Sequence, residues 1–370
     1  MNKIIYLDAA ATYQKTDAVI NAQVDFLRNH YANAGRGICA RAAYVDDMMR
    51  AARQHVARFM GAHENQIVFT SGTTGGMNMI ARMLGLVAGK IVAVSDLDHH
   101  SARLPFEKSL AQTVVMPLGS DFNIDVNNIP YADVMVITAM SNVLGVPQDV
   151  GALVAVARAK NPNVVVVVDA AQYVVHDKIN VIDWDADFVV WSGHKIGADT
   201  GLGVMYVKNP DLWNPVNFGG GMVSKIIGDE LRLPSGPERF EAGTMPLTQI
   251  AGLNAAIDDI EKNRPDLNLI KYMYDELKAV PRVKILSSHD AALFTFVVDG
   301  MHVLDFGAFV GARGLCLRVG NMCATWVHRA LGVGGSIRLS VGAYNTADDA
   351  KQAVRIIKEV IKCHLPKTIL

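Results

Sequence analysis

A series of short apolar runs between residues 66 and 207 constrains the fold of this chain more than any other feature. Several runs are apolar throughout, without alternating polar residues, which is typical of strands buried on both faces of a sheet. Helical patterns such as Met77–Val87 and Val150–Lys160 separate many of them, and this alternation predicts an α/β fold with a mainly parallel sheet. The seven predicted strands are Gln66–Thr70, Lys90–Val94, Thr113–Met116, Asp133–Thr138, Val164–Val168, Asp187–Trp191 and Gly203–Val207.

Two segments flank this series. Apolar residues recur at spacings of three and four over residues 42–60, and Gly61 follows at the position of a helix C-cap. After the last strand, a tract rich in glycine and proline runs from Pro215 to Pro246. It predicts a long functional loop, because loops of more than about 15 residues in a compact domain are usually active-site or interface segments.

The helix that follows this tract ends at an expected domain boundary. Its pattern runs from about Leu247 to Lys262 and stops before Pro265, since proline disfavours helical geometry in the residue before it. Beyond this point, a strand at Leu293–Val298 and a helix near Ala347–Lys362 predict a smaller α+β lobe.

Composition excludes several classes of protein. The 370 residues exceed what a small scaffold needs, and a net charge of −1 without a basic run argues against binding to nucleic acid or to an anionic membrane. No apolar stretch reaches the roughly 20 residues that a bilayer crossing requires, and the N-terminus lacks the pattern of a signal peptide. The four cysteines form no C-x-x-C pair and no disulfide framework. We therefore expect a cytoplasmic globular protein.

Small and polar residues follow the predicted strands, at the edge where ligands of α/β sheets bind. The loop from Thr70 to Gly76 opens a helix and is either a phosphate cradle or a plain capped turn. Asp98-His99-His100 follows the second strand. Adjacent residues of an extended chain point to opposite faces, so no metal site is predicted, and one histidine could simply cap the next helix at Ser101.

Two further strand ends place ionisable groups at the same edge. Asp169 follows a run of five valines, and a carboxylate there needs a cationic or hydrogen-bonding partner unless it is merely an N-cap. The sixth strand leads into Ser192-Gly193-His194-Lys195. A lysine at the mouth of a buried sheet is a candidate for a lowered pKa and for Schiff-base chemistry.

Taken in order, these motifs resemble the fold-type I pyridoxal-phosphate enzymes of aminotransferase class V, and within them the Suf-type cysteine desulfurases. The resemblance extends over nearly the whole chain and implies a transferase with a seven-stranded sheet flanked by helices. It implies a large cofactor-binding domain at residues 16–262 and a small domain made of residues 1–15 and 263–370. The motifs that carry it are Tyr6–Ala10, Arg36–Ile38, Gly72–Thr74, Asp98–His100, Ser141–Gly145, Asp169–Gln172, Ser192–Lys195, Arg239–Thr244, Arg318–Cys323 and Arg338–Ser340.

The resemblance also implies the roles of individual residues. Lys195 would bind pyridoxal 5'-phosphate covalently, and Asp169 would pair with the protonated pyridine nitrogen, which keeps the ring an electron sink. His99 would stack on the ring, and Gln172 would hydrogen-bond its phenolic oxygen. The implied phosphate ligands are Thr73, Thr74, Ser192, His194 and Thr244, the last of them reaching across from the second subunit of a homodimer.

The substrate residues implied by the resemblance are Asn142, Arg338 and Cys323. The first two would receive the α-carboxylate of an amino acid, since the planar fork of arginine matches a carboxylate. Cys323 would join Lys195 and His99 as a catalytic residue, taking sulfur from L-cysteine as a persulfide, leaving L-alanine, and passing the sulfur to an acceptor protein.

Alternatives remain open for the nucleophile and for the function. Cys323 could instead be a buried structural cysteine. The chain also departs from the family pattern at Asn321 and Met322, where histidines are usual, and at Gly75, where an acidic residue is usual. Another class V activity is the main alternative function: a selenocysteine lyase, a cysteine or cystine C–S lyase, or an aminotransferase. A scaffold that keeps the fold without the chemistry is a further alternative.

Overall fold

The computed structural model describes residues 4–35 and 37–364. Arg36, which belongs to one of the motifs above, lies outside the described residues. The strands are β1 (Ile5–Tyr6), β2 (Ile67–Thr70), β3 (Ile91–Ser95), β4 (Gln112–Met116), β5 (Val134–Thr138), β6 (Val165–Asp169), β7 (Phe188–Ser192), β8 (Gly203–Val207), β9 (Lys225–Ile227), β10 (Glu230–Arg232), β11 (Val283–Ile285), β12 (Leu293–Val298), β13 (Leu315–Cys316), β14 (Arg318–Gly320) and β15 (Ser336–Ser340). The α-helices are α1 (Asp17–Asp25), α2 (Ala40–Met60), α3 (Thr73–Met83), α4 (His100–Glu107), α5 (Val150–Lys160), α6 (Tyr173–His176), α7 (Val181–Trp184), α8 (Leu247–Lys262), α9 (Leu267–Lys278), α10 (Val303–Gly311), α11 (Thr325–Ala330) and α12 (Ala347–His364).

A seven-stranded sheet with the order β2-β8-β7-β6-β5-β3-β4 forms the centre of the molecule. Strand β8 runs antiparallel to β2 and β7, and the remaining neighbours are parallel. Every residue of β2, β5, β7 and β8 is buried, which explains why these runs lack polar alternation. The predicted mainly parallel sheet is confirmed, and each predicted strand lies within one residue of its observed bounds.

The helices follow the sequence patterns with one clear exception. Gly61 ends α2 in the left-handed conformation with φ 67°, as predicted for a C-cap glycine. The helix predicted over Met77–Val87 instead begins four residues earlier, at Thr73, and ends at Met83. The prediction was wrong because the first turn of α3 consists of small residues without apolar periodicity.

The tract from Pro215 to Pro246 is not a loop throughout. It contains an antiparallel hairpin in which β9 pairs with β10 across Gly228-Asp229. Gly228 has φ 59°, which a tight two-residue turn of this kind requires. All residues of both strands are exposed, so neither strand has the buried face that marks the strands of the central sheet.

A second hydrophobic core lies on a four-stranded antiparallel sheet of order β11-β12-β15-β14. Helices α9, α10 and α12 contribute apolar side chains to it, and so do Ile5 and Leu7 from the start of the chain. Packing of Ile5 and Leu7 in this core supports the predicted division into residues 16–262 and residues 1–15 with 263–370, which stays a prediction.

Within the described ranges, no helix combines the length and apolar character that crossing a membrane demands.

Candidate active site

Asp169 ends β6 with its carboxylate inside the protein. Its residue exposure is 4%, and the backbone N–H of Ala171 donates to Oδ1 at 2.9 Å. Burial raises the pKa of Asp169 to about 6, although the Ala171 hydrogen bond and the positive charge of Lys195 oppose the rise. The carboxylate thus has a local backbone donor and a nearby cation. The N-cap alternative is wrong, because α6 begins at Tyr173 and its N-cap is Gln172.

Lys195 lies on a 3₁₀ turn, Gly193–Ile196, directly after β7. Its Nζ donates to the carbonyl oxygens of Ala10 at 2.7 Å and Ala11 at 3.3 Å. Burial, together with the positive charge of Arg338, lowers the pKa of Lys195 to about 8. A lysine with such a pKa is a free amine in an appreciable fraction of molecules near neutral pH, and the free amine is the nucleophilic form.

A hydroxyl-lined turn joins the start of α3 to the end of β7. The backbone N–H of Thr73 donates to Ser192 Oγ at 2.8 Å, and the two hydroxyl oxygens are also 2.8 Å apart. Gly72 has φ 128°, and a Cβ there would lie 3.3 Å from Ser192 Oγ. His194 contacts Thr12 Oγ1 through Nδ1 at 3.2 Å, and Thr74 is exposed in the first turn of α3. Such a turn at a helix N-terminus suits a phosphate group.

His99 is the N-cap of α4, as the simpler sequence interpretation proposed. Its Nδ1 accepts a hydrogen bond from the backbone N–H of Ser101. Burial lowers the pKa of His99 to about 4, and the positive charge of Lys195 adds to the effect. Capping does not exclude a stacking role, because it engages the ring edge at Nδ1 and leaves the ring faces for other contacts.

Asn142 and Arg338 are in direct contact. Arg338 Nη1 donates to the backbone carbonyl of Asn142 at 2.7 Å, and Nη2 donates to Asp8 Oδ1 at 3.2 Å. Asp8 Oδ2 also pairs with Arg318 Nη2 at 2.7 Å. Sequence reasoning gave Asp8 no role, although it follows an apolar run just as Asp169 does.

Cys323 lies on an exposed turn between β14 and α11. The core alternative is therefore wrong for this cysteine. Its φ is 53°, its N–H donates to Asn321 Oδ1 at 3.2 Å, and its carbonyl accepts from the His100 N–H at 2.7 Å. The Asn142 amide donates to the Met322 carbonyl at 2.9 Å. These bonds hold the turn beside the segments that carry His99 and Arg338.

Thr244 does not join this cluster within one chain. It is exposed beside a cavity of about 1050 Å³ that Arg53 and Glu241 also line. The guanidinium of Arg53 forms two 2.8 Å hydrogen bonds to the Glu241 carboxylate, and the Phe69 N–H donates to Glu241 Oε1 at 2.7 Å. This buried ion pair fixes the base of the Thr244 loop to α2 and β2.

Residues 5–352 match the family model described as Aminotransferase class-V. The chain belongs to the aminotransferase class V family. It is similar to a cysteine desulfurase of Cronobacter sakazakii, with 33% identity over 98% of this chain and 93% of the relative. It is similar to a probable cysteine desulfurase of Vibrio cholerae, with 30% identity over 97% of this chain and 94% of the relative.

Solved structures of cysteine desulfurases are similar to this chain. The cysteine desulfurase CsdA from Escherichia coli, described as an S-sulfonic acid, has a TM-score of 0.89 and 30% identity, covering 97% of this chain and 95% of that one. An apo cysteine desulfurase from Thermococcus onnurineus has a TM-score of 0.92 and 29% identity with the same coverage. The similarity therefore spans both hydrophobic cores.

Pyridoxal 5'-phosphate is the cofactor of this class V protein, and the described residues fit it. Gln172 Oε1 and Asn142 Oδ1 are buried without a hydrogen-bond partner, and buried polar atoms are rarely left unpaired. Gln172 lies three residues after Asp169 in the chain, and Asn142 is hydrogen-bonded to Arg338. With a ligand present, each amide could turn an N–H toward a ligand oxygen, and a protonated ring nitrogen would be the cationic partner that the Asp169 carboxylate needs.

Proposed function

We propose that this chain is a pyridoxal-phosphate-dependent L-cysteine desulfurase. The observation that carries the proposal is the exposed turn of Cys323, which hydrogen bonds join to His100 and Asn142. A nucleophilic thiol, a substrate-binding arginine and a lysine with a lowered pKa are thus grouped at one edge of the sheet. The similarity to named cysteine desulfurases over nearly the whole chain supports the same activity.

In this proposal, eight residues of one chain hold the cofactor. Lys195 would bind it covalently, Asp169 would pair with its ring nitrogen, Gln172 would donate to its phenolic oxygen, and His99 would stack on its ring. Its phosphate is held by Thr73, Thr74, Ser192 and His194. The bound cofactor supplies a place for the electron pair that is released at the substrate α-carbon.

The substrate is oriented and deprotonated by groups of the same cluster. Arg338 and Asn142 would bind the α-carboxylate: the buried Arg338 Nε–H has no partner among the described residues, and the Asn142 amide could turn an N–H toward the carboxylate. The Lys195 amine, once the amino group of the substrate has taken its place, would be free to accept the α-proton.

Cys323 then removes the sulfur. Its thiolate attacks the substrate sulfur, so a sulfur–sulfur bond forms as the carbon–sulfur bond breaks. The carbon keeps the electron pair of the broken bond and gains a proton, which leaves L-alanine. The terminal sulfur of the resulting persulfide passes to a thiol of an acceptor protein. The exposed position of Cys323 and the free state of the four cysteines support this transfer in the reducing cytoplasm.

Replacing Cys323 tests the activity directly. We expect Cys323→Ala to lower sulfide release from L-cysteine by about 100-fold or more, because the attacking sulfur is lost while the cofactor contacts remain. Cys363→Ala, at another exposed cysteine, is the matched control and should keep wild-type turnover. Sulfide and alanine are assayed together with the cofactor absorbance. Unchanged cysteine turnover in Cys323→Ala would rule out the persulfide role, and retained turnover of selenocysteine alone would favour the lyase alternative.

We also propose that the protein is a homodimer in which Thr244 binds the cofactor phosphate of the other subunit. Two observations support this arrangement. Thr244 is exposed and has a fixed loop base, and the β9–β10 hairpin exposes Ile226, Ile227 and Leu231, of which Ile226 (64% exposed) lines the same cavity as Thr244. A second copy of the chain would cover such residues, since monomers rarely leave clustered apolar side chains in water.

Mixed dimers test this geometry. Thr244→Ala should weaken cofactor binding about tenfold or more, since a hydrogen bond to a charged group is lost. Co-expression of Thr244→Ala with Lys195→Ala chains should then create one intact site per mixed dimer. We expect wild-type affinity at that site, measured by cofactor titration of dimers purified through two different tags. Binding that stays weak in the mixed dimer, or a monomer in sedimentation, would contradict the proposal.

A further inference from the structure

Two hydrogen-bond donors converge on one ring nitrogen of His99. Nδ1 lies 3.2 Å from the backbone nitrogen of Ser101 and 2.7 Å from Ser101 Oγ. A backbone N–H can only donate, so Nδ1 carries no proton and acts as the acceptor. The hydroxyl must then also donate to this nitrogen. A neutral imidazole with an unprotonated Nδ1 carries its proton on Nε2.

We propose that Ser101 is a positioning residue that holds His99 uncharged, with the ring proton on Nε2. The inference rests on the proposed function, in which His99 stacks on the cofactor ring. His99 then presents an uncharged ring face and an N–H donor at Nε2. The lone pair of Nδ1 is occupied by the hydrogen bonds from Ser101. It has no free nitrogen with which to remove a proton from the substrate, so that step falls to the Lys195 amine.

The surroundings of His99 support the uncharged form. The positive groups that act on it are Lys195, His100 and Arg338, and burial disfavours its charge most strongly, which lowers the pKa to about 4. Asp98 precedes it in the chain; its carboxylate accepts hydrogen bonds from Ser95 and from Thr138 at 2.8 Å, and burial raises its pKa to about 6. Protonation of His99 would place hydrogen on Nδ1, directly opposite the Ser101 N–H.

Burial makes Ser101 effective in this role. The residue is 8% exposed and lies in the first turn of α4, so water competes little for its hydroxyl. The same turn keeps the backbone N–H and the Oγ on one side of the imidazole ring. An uncharged ring also adds no further positive charge beside Lys195, and this keeps the lysine pKa from falling further.

Nitrogen NMR of the holoenzyme labelled with ¹⁵N-histidine tests the proposal. Long-range proton–nitrogen correlation distinguishes a protonated nitrogen from an unprotonated one, and the signals of His99 are identified by their loss in His99→Asn. In the wild-type protein we expect an unprotonated Nδ1 and a protonated Nε2 down to at least pH 5.5. A protonated Nδ1 in that range would overturn the proposal.

Variants of Ser101 separate positioning from general stability. Ser101→Ala keeps the backbone N–H and loses the hydroxyl, so the neutral form loses one hydrogen bond. The pKa of His99 should therefore rise by about one pH unit, and a Nδ1-protonated form should become detectable. Ser101→Thr retains a hydroxyl and should restore the wild-type spectrum. Ser109→Ala, which removes a hydroxyl that donates to the Phe106 carbonyl just beyond the C-terminal end of the same helix, should change neither signal.

Failure of this inference is distinguishable from failure of the proposed function. An unchanged His99 titration in Ser101→Ala would overturn the positioning role even if the enzyme desulfurates cysteine normally. A protein that takes up no pyridoxal phosphate would overturn the proposed function, and the same spectra would still report the proton position on His99.

Discussion

Lys195→Ala should abolish both the colour and the activity of the purified protein. The variant loses the amine that binds the cofactor covalently and accepts the substrate proton, so cysteine turnover is expected to fall by about 10⁴-fold or more. The visible absorbance of the wild-type protein, which borohydride should bleach, should be missing as well. Lys178→Ala, at an exposed lysine, is the matched control and should keep both properties.

Adding a small amine to the Lys195→Ala variant tests whether the lost group acts as a proton acceptor. A small primary amine in the buffer should restore part of the turnover of Lys195→Ala, because it can replace the proton-accepting group. Wild-type absorbance and turnover in Lys195→Ala would contradict the assignment, and so would a wild-type protein that stays colourless with pyridoxal phosphate.

Asp169→Asn is expected to lower turnover about 10²- to 10⁴-fold while the cofactor stays bound. The substitution preserves shape and removes the negative charge that would keep the ring nitrogen protonated, so the ring no longer accepts electrons well. Burial raises the pKa of this carboxylate to about 6, and a cationic partner such as a protonated ring nitrogen would favour its charged form.

The measurement compares turnover with cofactor content from absorbance. Asp133→Asn is a suitable control, because Asp133 is a carboxylate at the opposite end of the parallel strands, where it pairs with Lys90 at 2.8 Å. The control should lose at most a little stability. Near-normal turnover in Asp169→Asn would remove Asp169 from the proposed mechanism.

The central sheet could be predicted from the sequence because burial on both faces leaves a strong local signal. Runs such as Val165–Asp169 contain almost nothing but β-branched residues, and their ends fall where polar residues begin. The start of α3 and the β9–β10 hairpin could not be predicted, because the first has only small residues and the second exposes every side chain.

In the candidate site, too, only the residues with a local sequence signal could be predicted. Asp169 and Lys195 stand at strand ends, so the geometry of a parallel sheet is enough to single them out. The pairing of Asp8 with Arg338 joins residues 330 positions apart, and no local pattern reports such a contact. The sequence suggested that a histidine caps the helix at Ser101. That both the N–H and the hydroxyl of Ser101 lie against His99 Nδ1 is known only from the coordinates. The proposed phosphate contact of Thr244 requires a second copy of the chain, which the sequence of one chain cannot position.

The N-terminal strand has a consequence for how the protein is made. The N–H of Leu7 donates to the carbonyl of Cys316, and the carbonyl of Ala10 holds Lys195. During synthesis, residues 5–10 leave the ribosome long before their partners, because the partners of Leu7 and Asp8 are added more than 300 residues later. Residues 5–10 must therefore wait for the small-domain strands before they can pair, and a nascent chain that has not yet reached Arg338 has no complete active site.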